Sequence, residues 1–212
     1  MTIKRFEFNM FPVNCYVLWD DTKEAVIIDA GCFYPEEQTK LKEFIYANGL
    51  KVKYVLNTHL HLDHIFGNAF VEREFGLRPL AHEADEFLLP KIAEYCNYFG
   101  FQVNEEPPAL SGHLSDGDEI AFGHTTLKAL HVPGHSPGSI AFYNEDDHCV
   151  FSGDVLFRCG VGRADFDGGD PQQLTNSIQT KLFSLPDETI VYPGHGEPTK
   201  IGYEKTYNPY FN

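Results

Sequence analysis

The sequence predicts an α+β fold in which two β-sheets pack face to face with helices on the outside. Three observations lead there. Short β-favouring runs come in two batches, and each batch is accompanied by helical patterns. Four of those runs end in glycine-flanked histidine or aspartate residues, which strands can gather only by ending along a shared rim. At 212 residues the chain has the length for one sizeable core, so a single domain over residues 1–212 is expected.

The elements follow in order. Residues 3–8, 13–19 and 24–29 read as three strands, the last closing in Ile27-Ile28-Asp29-Ala30-Gly31. Residues 35–47 start with Pro-Glu-Glu and space Leu41, Phe44 and Ile45 as a helix does, with Asn48-Gly49 as the stop. A strand over 52–57 leads into a turn, and a helix runs on from Ile65 to Phe75. Residues 78–81 form a short strand. Residues 83–99 are helical around an interruption at Pro90, opening a lid-like insert at about 84–110 whose Tyr95, Tyr98 and Phe99 either line a substrate mouth or pack on the core. After the loop signal Glu105-Glu106-Pro107-Pro108, residues 112–130 read as antiparallel strands turning at Phe122-Gly123-His124. Strands at 126–132, 139–144, 148–152 and 189–192 surround a helix over 171–183, with Asp170 as its N-cap.

Acidic residues outnumber basic ones to give a formal charge of -15, the wrong sign for gripping a phosphate backbone or an anionic membrane. No nucleic-acid or membrane partner is expected. No apolar run approaches the ~20 residues that span a bilayer, and residues 1–21 alternate like a strand rather than a signal peptide, so a cytoplasmic location is expected. Five cysteines without C-x-x-C spacing suggest neither a disulfide framework nor a thiolate metal site.

Chemistry concentrates in Thr58-His59-Leu60-His61-Leu62-Asp63-His64, on a strand-to-helix turn. Side-chain alternation sends His59 and His61 to one side, while Asp63 and His64 face a second point nearby, which suggests two metals. Further ligands come from three later strand ends, Pro133-Gly134-His135, Gly153-Asp154 and Pro193-Gly194-His195. His59, His61 and His135 make one site; Asp63, His64 and His195 make the other; Asp154 bridges them. Imidazole and carboxylate without thiolate suit two divalent ions per chain, with zinc expected and iron or manganese compatible. His113, His124 and His148 lie in or beside turns and read as solvated; His82 and His131 are left outside the ligand set.

These motifs, from Asp29-Ala30-Gly31 through His59-x-His61-x-Asp63-His64, Pro133 to Gly138, Gly153-Asp154 and Gly194-His195, resemble those of the metallo-β-lactamase-fold hydrolases over nearly the whole chain. The resemblance implies an αββα sandwich of two mixed sheets flanked by helices, with a two-metal site at its edge and the same ligand partition. Asp154 and His64 set the chain apart from true β-lactamases, whose second site typically uses a cysteine and lacks that histidine. Gly153 to Phe157, Gly160 to Asp165, Gly169-Asp170 and the ending from Gly194-His195-Gly196 to Asn208-Pro209 look like the single-domain branch of the glyoxalase II-type hydroxyacyl-thioester hydrolases. The likeness departs in two places. Full-length glyoxalase II carries a further helical domain that touches its thiol cofactor, for which this chain is too short. Where that enzyme places lysine and then tyrosine to hold glutathione, Arg163 and Asp165 stand here; Arg163 is the candidate grip for a substrate carboxylate.

The implied reaction is hydrolysis of a small-molecule thioester by a hydroxide held between the metals, with Asp63 binding metal and orienting the nucleophile. A thiolate leaves easily at a pKa near ~8.5, which suits a site without a separate general acid. Persulfide dioxygenases share the fold and resemble a one-iron site that would here use His59, His135 and Asp154. Lactone or phosphodiester hydrolysis fits the same scaffold. Oligomeric state is open at this level.

Overall fold

A computed structural model describes residues 1–103 and 105–211. Strands β1 (Thr2–Phe8), β2 (Val13–Trp19) and β3 (Glu24–Ile28) form an antiparallel meander. Helix α1 (Pro35–Ala47) then crosses over to β4 (Lys51–Leu56), which pairs parallel with β3. Two short strands, β5 (Leu80–Ala81) and β6 (Gly112–His113), extend the sheet in parallel to give the order 1-2-3-4-5-6. The second sheet holds the antiparallel run β7 (Glu119–Phe122), β8 (Thr125–His131), β9 (Ile140–Asn144) and β10 (Cys149–Gly153). A separate hairpin joins β11 (Leu156–Phe157) to β12 (Gly160–Val161). After helix α5 (Pro171–Ser177), β13 (Ile190–Pro193) runs parallel to β10, and β14 (Thr199–Lys200) and helix α6 (Ile201–Tyr207) close the chain; the order is 14-13-10-9-8-7. Both sheets are mixed, as expected.

Neighbouring residues on the central strands serve opposite faces. Leu18, Val26, Ile28 and Leu56 point into the sandwich against Phe122, Leu127, Ile140, Phe142 and Phe151 of the second sheet. Val17 and Ile27 point outward, beneath Leu41 and Ile45 of α1 and Val71 of α3 (Asn68–Phe75). Val150 and Val191 do the same on the other side, under Leu174 of α5 and Ile201 of α6. Burying each such side chain contributes ~1.5–3 kcal/mol, so both the inter-sheet layer and the outer layers hold the strands in register.

Four local details differ from the sequence expectation. Helix formation begins inside the histidine cluster, at α2 (Leu62–Ile65), and breaks before α3. Gly67 causes the break: its amide donates to Ala30 O at 2.7 Å, and a Cβ there would lie 2.4 Å from Cys32 Sγ. Gly112 and His113 pair parallel with Leu80 and Ala81 in the first sheet instead of joining an antiparallel run. The helix expected over 171–183 is α-helical only to Ser177 and widens into a π-turn over Ile178–Leu182. The β11–β12 hairpin, β14 and α6 had no counterpart in the sequence reading; two-residue strands carry too little periodicity to stand out.

The insert runs as a 3₁₀ segment, Glu83–Lys91, into α4 (Ile92–Tyr98), with the interruption near Pro90 where it was expected. Asn104 lies outside the described residues. Leu88, Ile92 and Cys96 pack on Leu60, Leu62, Ile65 and Phe66 beside the histidine cluster. Tyr95 is half-buried there, whereas Tyr98 is 84% exposed and Phe99 packs edge-on against Phe11. Among the described residues, no helix is long and apolar enough to cross a membrane.

Candidate metal centre

The C-terminal ends of β3, β4, β10 and β13 and the loop between β8 and β9 converge on one rim of the sandwich. Hydrogen bonds fasten the two sheets there. Asn14 N donates to Gly194 O at 2.7 Å, Ile140 N donates to Thr58 O at 2.8 Å, and Tyr16 Oη donates to Pro193 O at 2.7 Å. This brings His59, His61 and His135 within metal-sharing distance of one another, and likewise Asp63, His64 and His195, and His59, His64 and Asp154. All seven ligand candidates named from the sequence therefore meet at one place.

Hydrogen bonding aims the rings. Thr58 Oγ1 donates to Asp29 Oδ2 at 2.7 Å, so the 3.0 Å contact from His59 Nδ1 to that hydroxyl is a donation by the ring. His135 Nδ1 donates to Arg163 O at 2.7 Å, His64 Nδ1 to Asp29 Oδ2 at 2.9 Å, and His195 Nδ1 to Pro12 O at 3.1 Å. Each of these four rings thus turns Nε2 inward, the arrangement that makes imidazole a directed ligand. His61 does the reverse and presents Nδ1.

The inward atoms test whether metal ions fit. His61 Nδ1 lies 2.9 Å from His135 Nε2, which lies 3.1 Å from His59 Nε2. With the Nδ1 protons of His59 and His135 given to oxygen acceptors and the rings neutral, both Nε2 atoms carry lone pairs, and a proton on His61 Nδ1 cannot satisfy both. A cation between the three lone pairs does. In the other group, His195 Nε2 lies 3.1 Å from Asp63 Oδ2 and 3.4 Å from Asp154 Oδ2. His64 Nε2 and Asp154 Oδ1 are buried without a hydrogen-bond partner among the described residues, though only 3.4 Å apart. Asp154 also approaches the first group, its Oδ2 3.8 Å from His135 Nε2, which is the placement a bridge needs. Gly194 makes room for this: a Cβ there would sit 2.1 Å from Asp154 Oδ1.

The two groups differ in charge. Burial and the neighbouring imidazoles push His59 well below the usual histidine range, and burial followed by His135 pushes His61 down to about 3. Both are neutral lone-pair donors at pH 7. In the second group burial opposes charge, but Asp63, Asp154 and Asp29 outweigh it at His64 and hold that imidazolium well above the usual range. At His195, burial is likewise overcome by hydrogen bonds to Asp154 and Asp63, which raise it to about 10. Burial works against ionised Asp154 as well, yet His64 and His195 keep it well below the carboxylate range.

Arg163 lies at the mouth, with its guanidinium 4.4 Å from the Phe166 ring and its fork held by Asp165 through bonds of 2.9 and 2.7 Å. Phe166 in turn packs edge-on against His61, with ring centroids 5.1 Å apart. Lys91 and Tyr95 of the insert both donate to Asp167, which ties the insert to the 157–170 loop. Of the remaining histidines, His113, His124 and His148 are exposed, with His113 paired to Glu86, and His82 stacks on His131 at 4.1 Å. Cys159 is exposed on the outer hairpin, 3.6 Å from Tyr203 Oη.

Sequence reasoning noticed Asp29 without its role. It accepts from Thr58 N, Thr58 Oγ1 and His64 Nδ1, buried at φ 53° on a backbone that non-glycine residues rarely adopt. The signal available was a carboxylate ending an apolar strand just before Ala-Gly. Asp85, buried in the insert beside the site, gave no signal at all.

A two-sheet sandwich whose rim holds five imidazoles and two carboxylates in two overlapping groups defines a binuclear metal-dependent hydrolase. Residues 9–195 match the metallo-beta-lactamase superfamily, and the chain belongs to it. It is 37% identical to hydroxyacylglutathione hydrolase GloC of Haemophilus influenzae, over 100% of this chain and 99% of that one. Among solved structures, BLEG-1, a B3 metallo-beta-lactamase, superposes with a TM-score of 0.90 at 34% identity over all of both chains. TTHA1623 in a di-iron-bound form gives 0.87 at 36% identity, covering 98% of this chain and 99% of that one. A human mitochondrial persulfide dioxygenase, ETHE1, is 32% identical over 93% of this chain and 72% of its own. Within the superfamily the likeness is to glyoxalase II-like members, and the chain is a metal-dependent hydrolase of this fold.

Proposed function

We propose that the chain hydrolyses a hydroxyacyl thioester at a two-ion centre, with zinc as the working metal. The observation that carries this reading is the complete second group. Asp63, His64 and His195 stand beside the three-histidine group, with Asp154 between them and its buried Oδ1 without a hydrogen-bond partner among the described residues. In this reading His59, His61 and His135 hold one ion, Asp63, His64 and His195 the other, and Asp154 both. When bound, divalent ions lower the pKa of water and polarise a carbonyl.

The protein groups supply the rest. Burial opposes the charge on Asp63, but His64 and His195 keep it a carboxylate, able to accept a hydrogen bond from the attacking water and fix its direction. Phe166 packs edge-on against His61 and lies beside His135. The leaving thiolate needs no proton at the moment of bond breaking, given a thiol pKa near ~8.5, and no uncommitted acid stands at the rim among the described residues. Arg163 is the proposed contact for a substrate carboxylate, in exchange for Asp165.

The test is thiol release from a 2-hydroxyacyl glutathione thioester, run beside a chromogenic β-lactam and beside oxygen uptake with glutathione persulfide. Turnover of the thioester at well above the β-lactam rate, without oxygen consumption, is the expected result. Oxygen uptake with one iron per chain would instead favour a persulfide dioxygenase, a reading that draws on the 32% likeness to ETHE1 and would use His59, His135 and Asp154.

A further inference from the structure

The insert contributes one side chain to the floor of the metal centre. Asp85 is fully buried, yet its three partners are all donors from the segments that carry the first histidine group. Its Oδ2 accepts from Leu60 N at 3.2 Å and from Ser136 Oγ at 2.8 Å, and its Oδ1 accepts from Gly138 N at 2.6 Å. Leu60 separates His59 from His61, and Ser136 follows His135. One carboxylate on the insert thus clamps the backbone on both sides of the gap that an ion would fill. Asp29, by contrast, supports one ligand of each group, His64 directly and His59 through Thr58 Oγ1.

We propose that Asp85 is a positioning residue, which presets the spacing of His59, His61 and His135 and makes the affinity of that group depend on the docked insert. The proposal rests on the two-ion reading above. A carboxylate suits the position because every partner offers a hydrogen; an asparagine would turn its NH₂ toward at least one of them. Loss of one hydrogen-bonded support behind a metal ligand typically weakens metal binding 10–100-fold. A change acting only through general stability would weaken both groups together.

The experiment is zinc titration of metal-free wild type and Asp85→Asn against a competing chelator, with histidine ring signals followed by NMR to tell which group fills. We expect Asp85→Asn to bind the ion reported by His59, His61 and His135 about 10–100-fold more weakly, while the ion reported by His195 keeps its wild-type affinity. Wild-type affinity for both ions, or equal weakening of both, overturns the inference. If Asp85→Asn does not fold, Ser136→Ala removes one donor and keeps the carboxylate; several-fold weakening of the same ion is expected, and no change overturns the inference. Wild type binding fewer than two zinc ions would remove the two-ion reading itself, whereas two wild-type ions with unaltered variants would remove only the role of Asp85.

Discussion

Zinc uptake by the metal-free protein should release protons from His64 and His195 and none from His59 and His61. His59 and His61 are held neutral, so at pH 6–8 they lose none to an incoming ion. His195, raised to about 10 by the two aspartates, must give up its proton before Nε2 can bind, and His64 likewise. At pH 7, a site pKa of about 10 means three pH units, or on the order of 4 kcal/mol, set against the second ion by His195 alone. That is about a 1000-fold weakening relative to the deprotonated site, with a further ~10-fold per pH unit on acidification for each proton displaced. Calorimetric zinc titration at pH 7 in buffers of different ionisation enthalpy measures this. The ion held by the second group should release about two protons, one each from His64 and His195, and each proton displaced should make its binding about 100-fold weaker at pH 6 than at pH 8. Two equivalent ions with no proton release would refute the charge assignment.

The same assignment predicts the pH dependence of the metal-free fold. The raised His64 and His195 add stability that is fully present below the usual histidine pKa of ~6.5 and is lost as pH rises through about 10 for His195; the depressed Asp63 and Asp154 add stability that is lost as pH falls through their lowered values, so metal-free Tm should decline toward both extremes. Asp154→Ala should lose metal occupancy and activity together, with turnover down at least about 100-fold, and elemental analysis beside a rate assay checks it. Gly194→Ala places a Cβ 2.1 Å from Asp154 Oδ1 and should lower zinc content while circular dichroism stays native. Phe142→Ala, fully buried between the sheets, should cost about 3–5 kcal/mol in denaturant unfolding and leave zinc stoichiometry at two.

What could be read from the chain follows from how local each signal is. His59 to His64 is dense enough to announce itself, and His135, Asp154 and His195 each sit beside a glycine at the end of an apolar run. Their convergence followed from placing strand ends on one rim. Asp85 could not be found that way, because in Glu83-Ala84-Asp85-Glu86 nothing separates the one buried acid from its solvated neighbours. The role of Asp29 was hidden for a related reason, since its partners Thr58 and His64 lie about thirty residues away and meet it only when β3 and β4 pair. Short elements suffered from their length: β11, β12 and β14 span two residues each and went unseen, and β6, also two residues, was expected in an antiparallel run although its pairing with β5 is parallel. At Arg163 the sequence offered a grip for a carboxylate, and the folded loop supplies one from Asp165.

The most direct test of the two-ion hydrolase is the metal content of protein purified without added metal or chelator, followed by thioester turnover on the same sample. Two ions per chain, with thiol release that falls in step as the second ion is removed, is the result predicted here. A single iron per chain, no second ion taken up on titration, and oxygen consumed with a persulfide would contradict it.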